Sequence, residues 1–212
     1  SADGFRLAVF KLPLANKVTQ KAEVIIPART LSEVERLATG NEPVEILLNP
    51  NKSQVLFRLR SESEPKDIEL VSQLVQGTFP KYNQLIPQSY TTRAIVDVQE
   101  FLRATKTAAI FARDGSGIVR LIMTPGGEAT SGKLTVSARS EEIGDNVGEI
   151  DATIEGPEAK IAFNGKYMID VLSVLKEPQV ALEVTTPSSP GVFKPIGTDN
   201  YVHVVMPMFV QW

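Results

Sequence analysis

Chemistry in a chain of 212 residues starts from its nucleophiles, bases and metal ligands, and here they are few. There is no cysteine and a single histidine, His203. Thiolate chemistry, disulfides and zinc sites built from His and Cys are thereby excluded, and a histidine-dependent triad would have to use His203. That residue falls in the alternating segment 201–206, where a lone His is usually structural. Gly115, Ser116 and Gly117 form Gly-x-Gly with no third glycine and no phosphate-cradling helix after it, so a tight turn is expected. Glu141, Glu142, Asp145 and Glu149 gather negative charge without the spacing of a calcium loop, which points to a solvated or partner-facing patch. The sequence therefore assigns no catalytic residue, no cofactor and no metal.

Two signals point to binding instead. Gln99, Arg103, Lys106 and Arg113 lie at offsets of 0, 4, 7 and 14, which at about 100° per residue is one helix face. Such a face is either merely solvated or meets phosphates without reading bases. The second signal is apolar: Val204, Val205, Met206, Pro207, Met208, Phe209, Val210, Gln211 and Trp212 end the chain. They either complete a core strand or line an adaptable groove for a partner peptide, since thioethers repack easily around aromatic anchors.

The elements that must position these residues are mostly short strands. Segments 5–12, 22–26, 44–48, 54–59, 68–75, 118–123, 133–138, 147–154, 159–163, 180–185 and 202–206 alternate and are bounded by Gly, Pro, Asn or Ser. Residues 49–51 and 126–132 read as turn or loop. Three segments have helical period. One follows Thr30, with Glu33 completing a capping box and Leu31, Val34, Leu37 and Ala38 as its stripe. The next follows Asp97, with Glu100 in the same relation and Val98, Phe101, Leu102, Thr105 and Ala109 inward. The third follows Asn164, with Met168, Val171, Leu172 and Leu175 inward. The class is α+β.

The order strand, helix, hairpin, strand occurs at 22–75 and again at 159–206, with helix starts separated by 165 − 31 = 134 residues. This is a domain-sized repeat, and residues 87–92 read as the linker between its copies. Hydrophobic residues make up 42% and charged residues 22%, ordinary for a globular protein. No apolar run is long enough to span a bilayer as a helix, and no signal-peptide pattern is visible. A net charge of −3 argues against a surface that is basic throughout, so any nucleic-acid contact would need segregated charge.

Four motifs resemble one known family, the bacterial DNA sliding clamps, which are the beta subunit of DNA polymerase III. Ser1-Ala2-Asp3-Gly4-Phe5-Arg6-Leu7 is similar to their Thr-Asp-Gly-x-Arg-Leu segment. Gly77-Thr78-Phe79-Pro80-Lys81-Tyr82 with Ile86-Pro87 resembles the motif closing their middle domain. Phe163-Asn164-Gly165-Lys166-Tyr167 with Asp170-Val171-Leu172 resembles a helix start, and Val204-Val205-Met206-Pro207-Met208 their C-terminal strand. The motifs occur in family order and spacing over essentially the whole chain. The resemblance implies a DNA clamp fold of repeated domains, with antiparallel sheets outside and helices lining a ring. Residues 1–87 would be the C-terminal part of an incomplete second domain and 88–212 the third domain. A chain opening at Ser1 without Met then reads as a fragment lacking the first domain.

The same resemblance implies a non-catalytic processivity factor, cytoplasmic and nucleoid-associated. It would encircle double-stranded DNA without sequence preference and form a head-to-tail homodimer. It would dock the polymerase III alpha subunit, the clamp loader and repair proteins through a peptide groove between the second and third domains. Carried onto this sequence, the groove comprises Gly4, Arg6, Leu7, Pro80, Leu85, Ser188, Pro190, Val204, Val205, Met206, Pro207 and Met208. Phe5, Gln84 and Phe209 belong to it as departures: members often carry His at the first position and Arg at the other two, so the groove should be less cationic and more aromatic. DNA-facing residues would be Arg29, Arg36, Arg103, Lys106 and Tyr167. The subunit interface would use Ile110 and Phe111 with Glu141, Glu142 and Asp145. Two other classes compete: an enzyme with an unrecognised site, for which no clustered nucleophile and base are present, and a peptide-binding adaptor that does not encircle DNA.

Overall fold

The computed structural model describes residues 1–14, 18, 21–38, 42–60, 67–113, 116–127 and 130–212. In chain order its elements are β1 (Arg6–Phe10), α1 (Ala28–Leu37), β2 (Glu45–Leu48), β3 (Gln54–Leu59), β4 (Ile68–Gln73) and β5 (Thr92–Asp97). There follow α2 (Val98–Ala112), β6 (Ile118–Thr124), β7 (Gly132–Ser140), β8 (Gly144–Glu155) and β9 (Ala159–Asn164). The last are α3 (Gly165–Val174), β10 (Gln179–Val184), β11 (Gly191–Pro195) and β12 (Tyr201–Val205). They divide into a larger unit, Ser1–Pro13 with Tyr82–Trp212, and a smaller one, Leu14–Lys81.

The larger unit is one antiparallel sheet in the order β1-β12-β11-β10-β5-β8-β7-β6-β9, with α2 and α3 packed together against it. Its strands alternate as half-buried strands must: every second residue of β6 and β7 is buried, and the others meet solvent. Both helices start where the sequence placed them. The Asp97 carboxylate accepts from the Glu100 amide at 2.9 Å, and the Asn164 side chain accepts from the Lys166 amide at 2.9 Å. Beneath them Phe101, Phe163 and Phe193 form a fully buried aromatic file, with ring centroids 6.0 and 6.4 Å apart. Gly191 makes that file possible. A Cβ there would lie 2.3 Å from the Phe163 ring, so only glycine lets β11 come this close.

The smaller unit is a meander, β2-β3-β4, carrying α1. Val55, Phe57 and Leu59 on alternate positions of β3 are buried, with Val34 and Leu37 of α1 packed against them. The opposite face carries Arg58 between Glu45 at 3.2 Å and Glu69 at 2.9 Å.

The repeat has a backbone signature. In each unit a helix leads into a three-strand meander, α1 into β2-β3-β4 and α3 into β10-β11-β12. In each, the residue preceding the helix by three accepts a hydrogen bond from beyond the meander. Val75 donates to the Ile25 carbonyl at 2.9 Å, and Met208 to the Ala162 carbonyl at 2.8 Å. The helix starts are 165 − 28 = 137 residues apart, three more than expected, because α1 begins one turn early.

Three local expectations are corrected. The capping box at Thr30 does not form: Pro27 precedes the helix, no side chain caps it, and the Thr30 hydroxyl pairs with the Ser72 hydroxyl at 2.7 Å. Proline is tolerated there because that amide would have no helical partner. The strand expected at 22–26 reduces to one bridge, Ile25 to Val75, and two strands were missed: β11, which lacks a clean alternation, and β5, which alternates but begins at Thr92, the end of the expected linker. Gly115 of the Gly-x-Gly and residues 128–129 of the loop 126–132 lie outside the described residues.

Candidate functional site

The groove begins with strand register. β1 pairs antiparallel with β12 so that Leu7 faces Val204, and β12 pairs with β11 so that Val204 faces Val192. Three strands thus present Leu7, Val204 and Val192 side by side as a buried patch, joined by Val9, Val202, Tyr82 and Ile86. The opening segment is bent over this patch by an Asx turn. The Asp3 carboxylate accepts from the Phe5 and Arg6 amides at 2.9 and 3.0 Å, and the Met206 amide donates to the Phe5 carbonyl at 2.8 Å. The result is a predominantly apolar groove of about 460 Å³, within the range of small-ligand and peptide sites.

Of the groove residues expected from sequence, Gly4, Phe5, Arg6, Leu7, Gln84, Leu85, Pro190, Val204 and Met206 line this space. Ala2, Asp3 and Pro87 line it as well and were missed; the Asp-Gly pair ahead of a strand was the available turn signal. Val205 is a correction. It is fully buried in the main core behind the sheet, because successive residues of a strand point to opposite faces, and Val204 takes the groove side. Pro207, Met208 and Phe209 are not among the lining residues, and Phe209 is 92% exposed. The chain turns away at Met208 to bond Ala162 of β9. Ser188 sits in an exposed turn whose hydroxyls bond Thr186, and Pro80 belongs to the smaller unit.

Charge in the groove is arranged around Arg6. Its Nε donates to Asp3 at 2.9 Å, its Nη1 donates to Asp170 of α3, and its guanidinium lies 4.5 Å from the centre of the Tyr167 ring. The Asp170 carboxylate raises the Arg6 pKa, burial opposes this, and Asp3 adds to the rise. Partial burial pushes the Asp3 carboxyl up, but bonds from the Phe5 amide and from Arg6 outweigh it and hold it below the ordinary value. Tyr167 also stacks on Phe5, with ring centroids 6.2 Å apart. The ring expected among the DNA-facing residues is thus also in contact with the groove's opening segment. Behind the sheet, His203 is 7% exposed and its Nδ1 shares a hydrogen bond of 2.8 Å with the Tyr201 hydroxyl, while Nε2 has no partner among the described residues. Burial, then the positive charge of Arg6, lowers its pKa to about 4, so the sole histidine is a neutral core residue. Burial likewise pushes Tyr201 up to about 12.

On α2, Gln99, Arg103 and Lys106 share a shallow depression with Leu102 and Ile110, as the helical period required. Neither Arg103 nor Lys106 has an ion-pair partner among the described residues. Arg103 also borders a second depression that contains Glu100, Glu149 and Asp151, so the basic line has acid on one flank. On α1 in the smaller unit, Arg29 is exposed, whereas Glu33 takes both Nε and Nη2 of Arg36 at 2.9 and 2.7 Å. That pairing partly discharges Arg36 as a phosphate ligand.

Ile110 is 58% exposed at the end of α2, but Phe111 is half-buried against the core. Glu141 and Glu142 line a recess of about 590 Å³ together with Arg120 and Arg139, and Asp145 lies 3.7 Å from Arg139. The acidic cluster is therefore interleaved with arginine rather than uniformly negative. Among the described residues no three acidic or histidine side chains converge as a metal site, and no helix is long and apolar enough to cross a membrane.

Comparison with known proteins places this geometry. Residues 83–209 match the family model described as DNA polymerase III beta subunit, C-terminal domain, and residues 1–81 match its central-domain model. The chain is 32% identical to the beta sliding clamp of Staphylococcus aureus over 210 residues and to that of Bacillus subtilis over 211. Each match covers 98% of this chain and 52% of the relative, so the chain spans about half the length of the curated relatives it matches. The crystal structure of the Bacillus subtilis DNA polymerase sliding clamp superimposes with a TM-score of 0.86 at 30% identity, covering 100% of this chain and 53% of that one. The Streptococcus pneumoniae beta chain gives 0.84 at 28%, covering 99% and 53%.

Proposed function

Because the chain belongs to the DNA polymerase III beta subunit family, we propose that it acts as part of a sliding clamp, a non-catalytic processivity factor of the bacterial replicative polymerase. In this reading residues 1–87 complete a second domain and 88–212 form a third. The full protein closes head-to-tail with a second copy around duplex DNA in the bacterial cytoplasm. A topological hold of this kind needs neither tight binding nor turnover, in keeping with a net acidic chain whose cations Arg103 and Lys106 have no ion-pair partner among the described residues. The polymerase III alpha subunit, the clamp loader and other partners dock short peptides in the groove.

The observation that carries the reading is the β1 to β12 pairing, which brings Leu7, Val204 and Met206 to one apolar groove. Fluorescence polarisation with a labelled Gln-Leu-x-Leu-Phe peptide tests it. Met206 is 44% exposed and free to contact a ligand, so Met206→Ala should weaken binding about five-fold, as loss of a buried anchor contact does. Equal affinity for parent and variant would refute the groove. The adaptor alternative draws support from the acids beside Arg103. Charge reversal at Arg103 and Lys106 in the full-length protein separates the two: retention on circular DNA falls if the protein encircles DNA and is unchanged if it is only an adaptor.

A further inference from the structure

Resting on the groove reading above, we infer that this groove selects a peptide whose apolar anchors are flanked by a basic side chain, and rejects an acidic flank. Arg6 is the only cation among the described residues lining the groove, and it is already neutralised. Asp3 and Asp170 both bind its guanidinium, and Tyr167 covers one face of it. Two carboxylates against one guanidinium leave the Asp3–Arg6–Asp170 cluster with a formal charge of −2 + 1 = −1, Asp170 standing just behind the lining residues Asp3 and Arg6. Gln84 adds no charge to the lining. The Asp3 side chain is 46% exposed, so its field reaches an incoming ligand instead of ending inside the protein. Phe5 is 60% exposed, and its ring stacks on Tyr167. A ring held this way presents a π face, which attracts a cation and offers nothing to a carboxylate. An acidic flank would meet a guanidinium already shared by two carboxylates. A lysine or arginine would find a carboxylate and an aromatic face together.

The test uses the 212-residue chain and three labelled peptides with identical Leu and Phe anchors. They differ at one adjoining position, which is Lys, Gln or Glu. At low salt the Lys peptide should bind about five-fold tighter than the Glu peptide, with Gln between them, as expected for an exposed charge contact. The ratio should shrink towards one at high salt. Asp3→Asn keeps the acceptor for the Phe5 and Arg6 amides and should reduce the ratio, while Asp170→Asn frees Arg6 and should reduce it further. The ratio is internal to each variant, so partial loss of folded protein does not move it. Equal affinities, or tightest binding of the Glu peptide, would overturn the charge inference and leave the groove intact. Binding of none of the three would remove the groove reading, and the inference with it.

Discussion

His203 gives a prediction whose size follows directly from the structure. The imidazole is buried behind the groove strand, facing the core with Tyr201 and Val205. Burial is the largest cause of its lowered pKa; the charged groups that reach it are Arg6 and the N-terminal ammonium, which lower it further, and Asp170 and Asp3, which raise it. Its pKa is about 4 in the folded chain against 6.5 for an unperturbed imidazole. A depressed base favours the native state when neutral. Its contribution is therefore fully present above pH 6.5, where both states are unprotonated. As pH falls from 6.5 towards 4 the unfolded chain takes up the proton first, and stability is lost across that window. Linkage between these two values gives a loss of about 2.5 kcal/mol at pH 4.5 relative to pH 7.5. The assay is urea denaturation at both pH values, followed by the fluorescence of Trp212, the sole tryptophan. His203→Gln removes the titration and leaves the carboxylates common to both proteins, so the difference between parent and variant isolates the imidazole. Proton NMR reads the same quantity directly, because one histidine means one set of imidazole signals. An imidazole titrating near its ordinary value, or a parent and variant losing stability in parallel within about 0.5 kcal/mol, would refute the reasoning.

Two further substitutions test the scaffold. Asp97→Ala removes the acceptor for the Glu100 amide at the start of α2 and should cost about 1 kcal/mol in urea denaturation. Gly191→Ala places a methyl 2.3 Å from the Phe163 ring, and the overpacked core should lose about 1–3 kcal/mol by the same measurement.

Local rules read from the sequence set the elements that carry the site. Asp97 and Asn164 cap α2 and α3 as their residue types required, since a cap is a bond between near neighbours in the chain. The helical period alone put Arg103 and Lys106 on one face. Motif resemblance, not periodicity, brought the first residues and the terminal strand together. Only the tertiary structure decided which atoms meet. Strand pairing turned Val204 to the groove and Val205 to the core, a choice that depends on register and is invisible in a run of apolar residues. Packing of α3 against the opening segment gave Asp170 and Tyr167 to Arg6, across 164 residues of chain between Arg6 and Asp170. Short-range hydrogen bonds and periodicity are encoded where they act, whereas the charge of a pocket is the sum over side chains that only the fold makes neighbours.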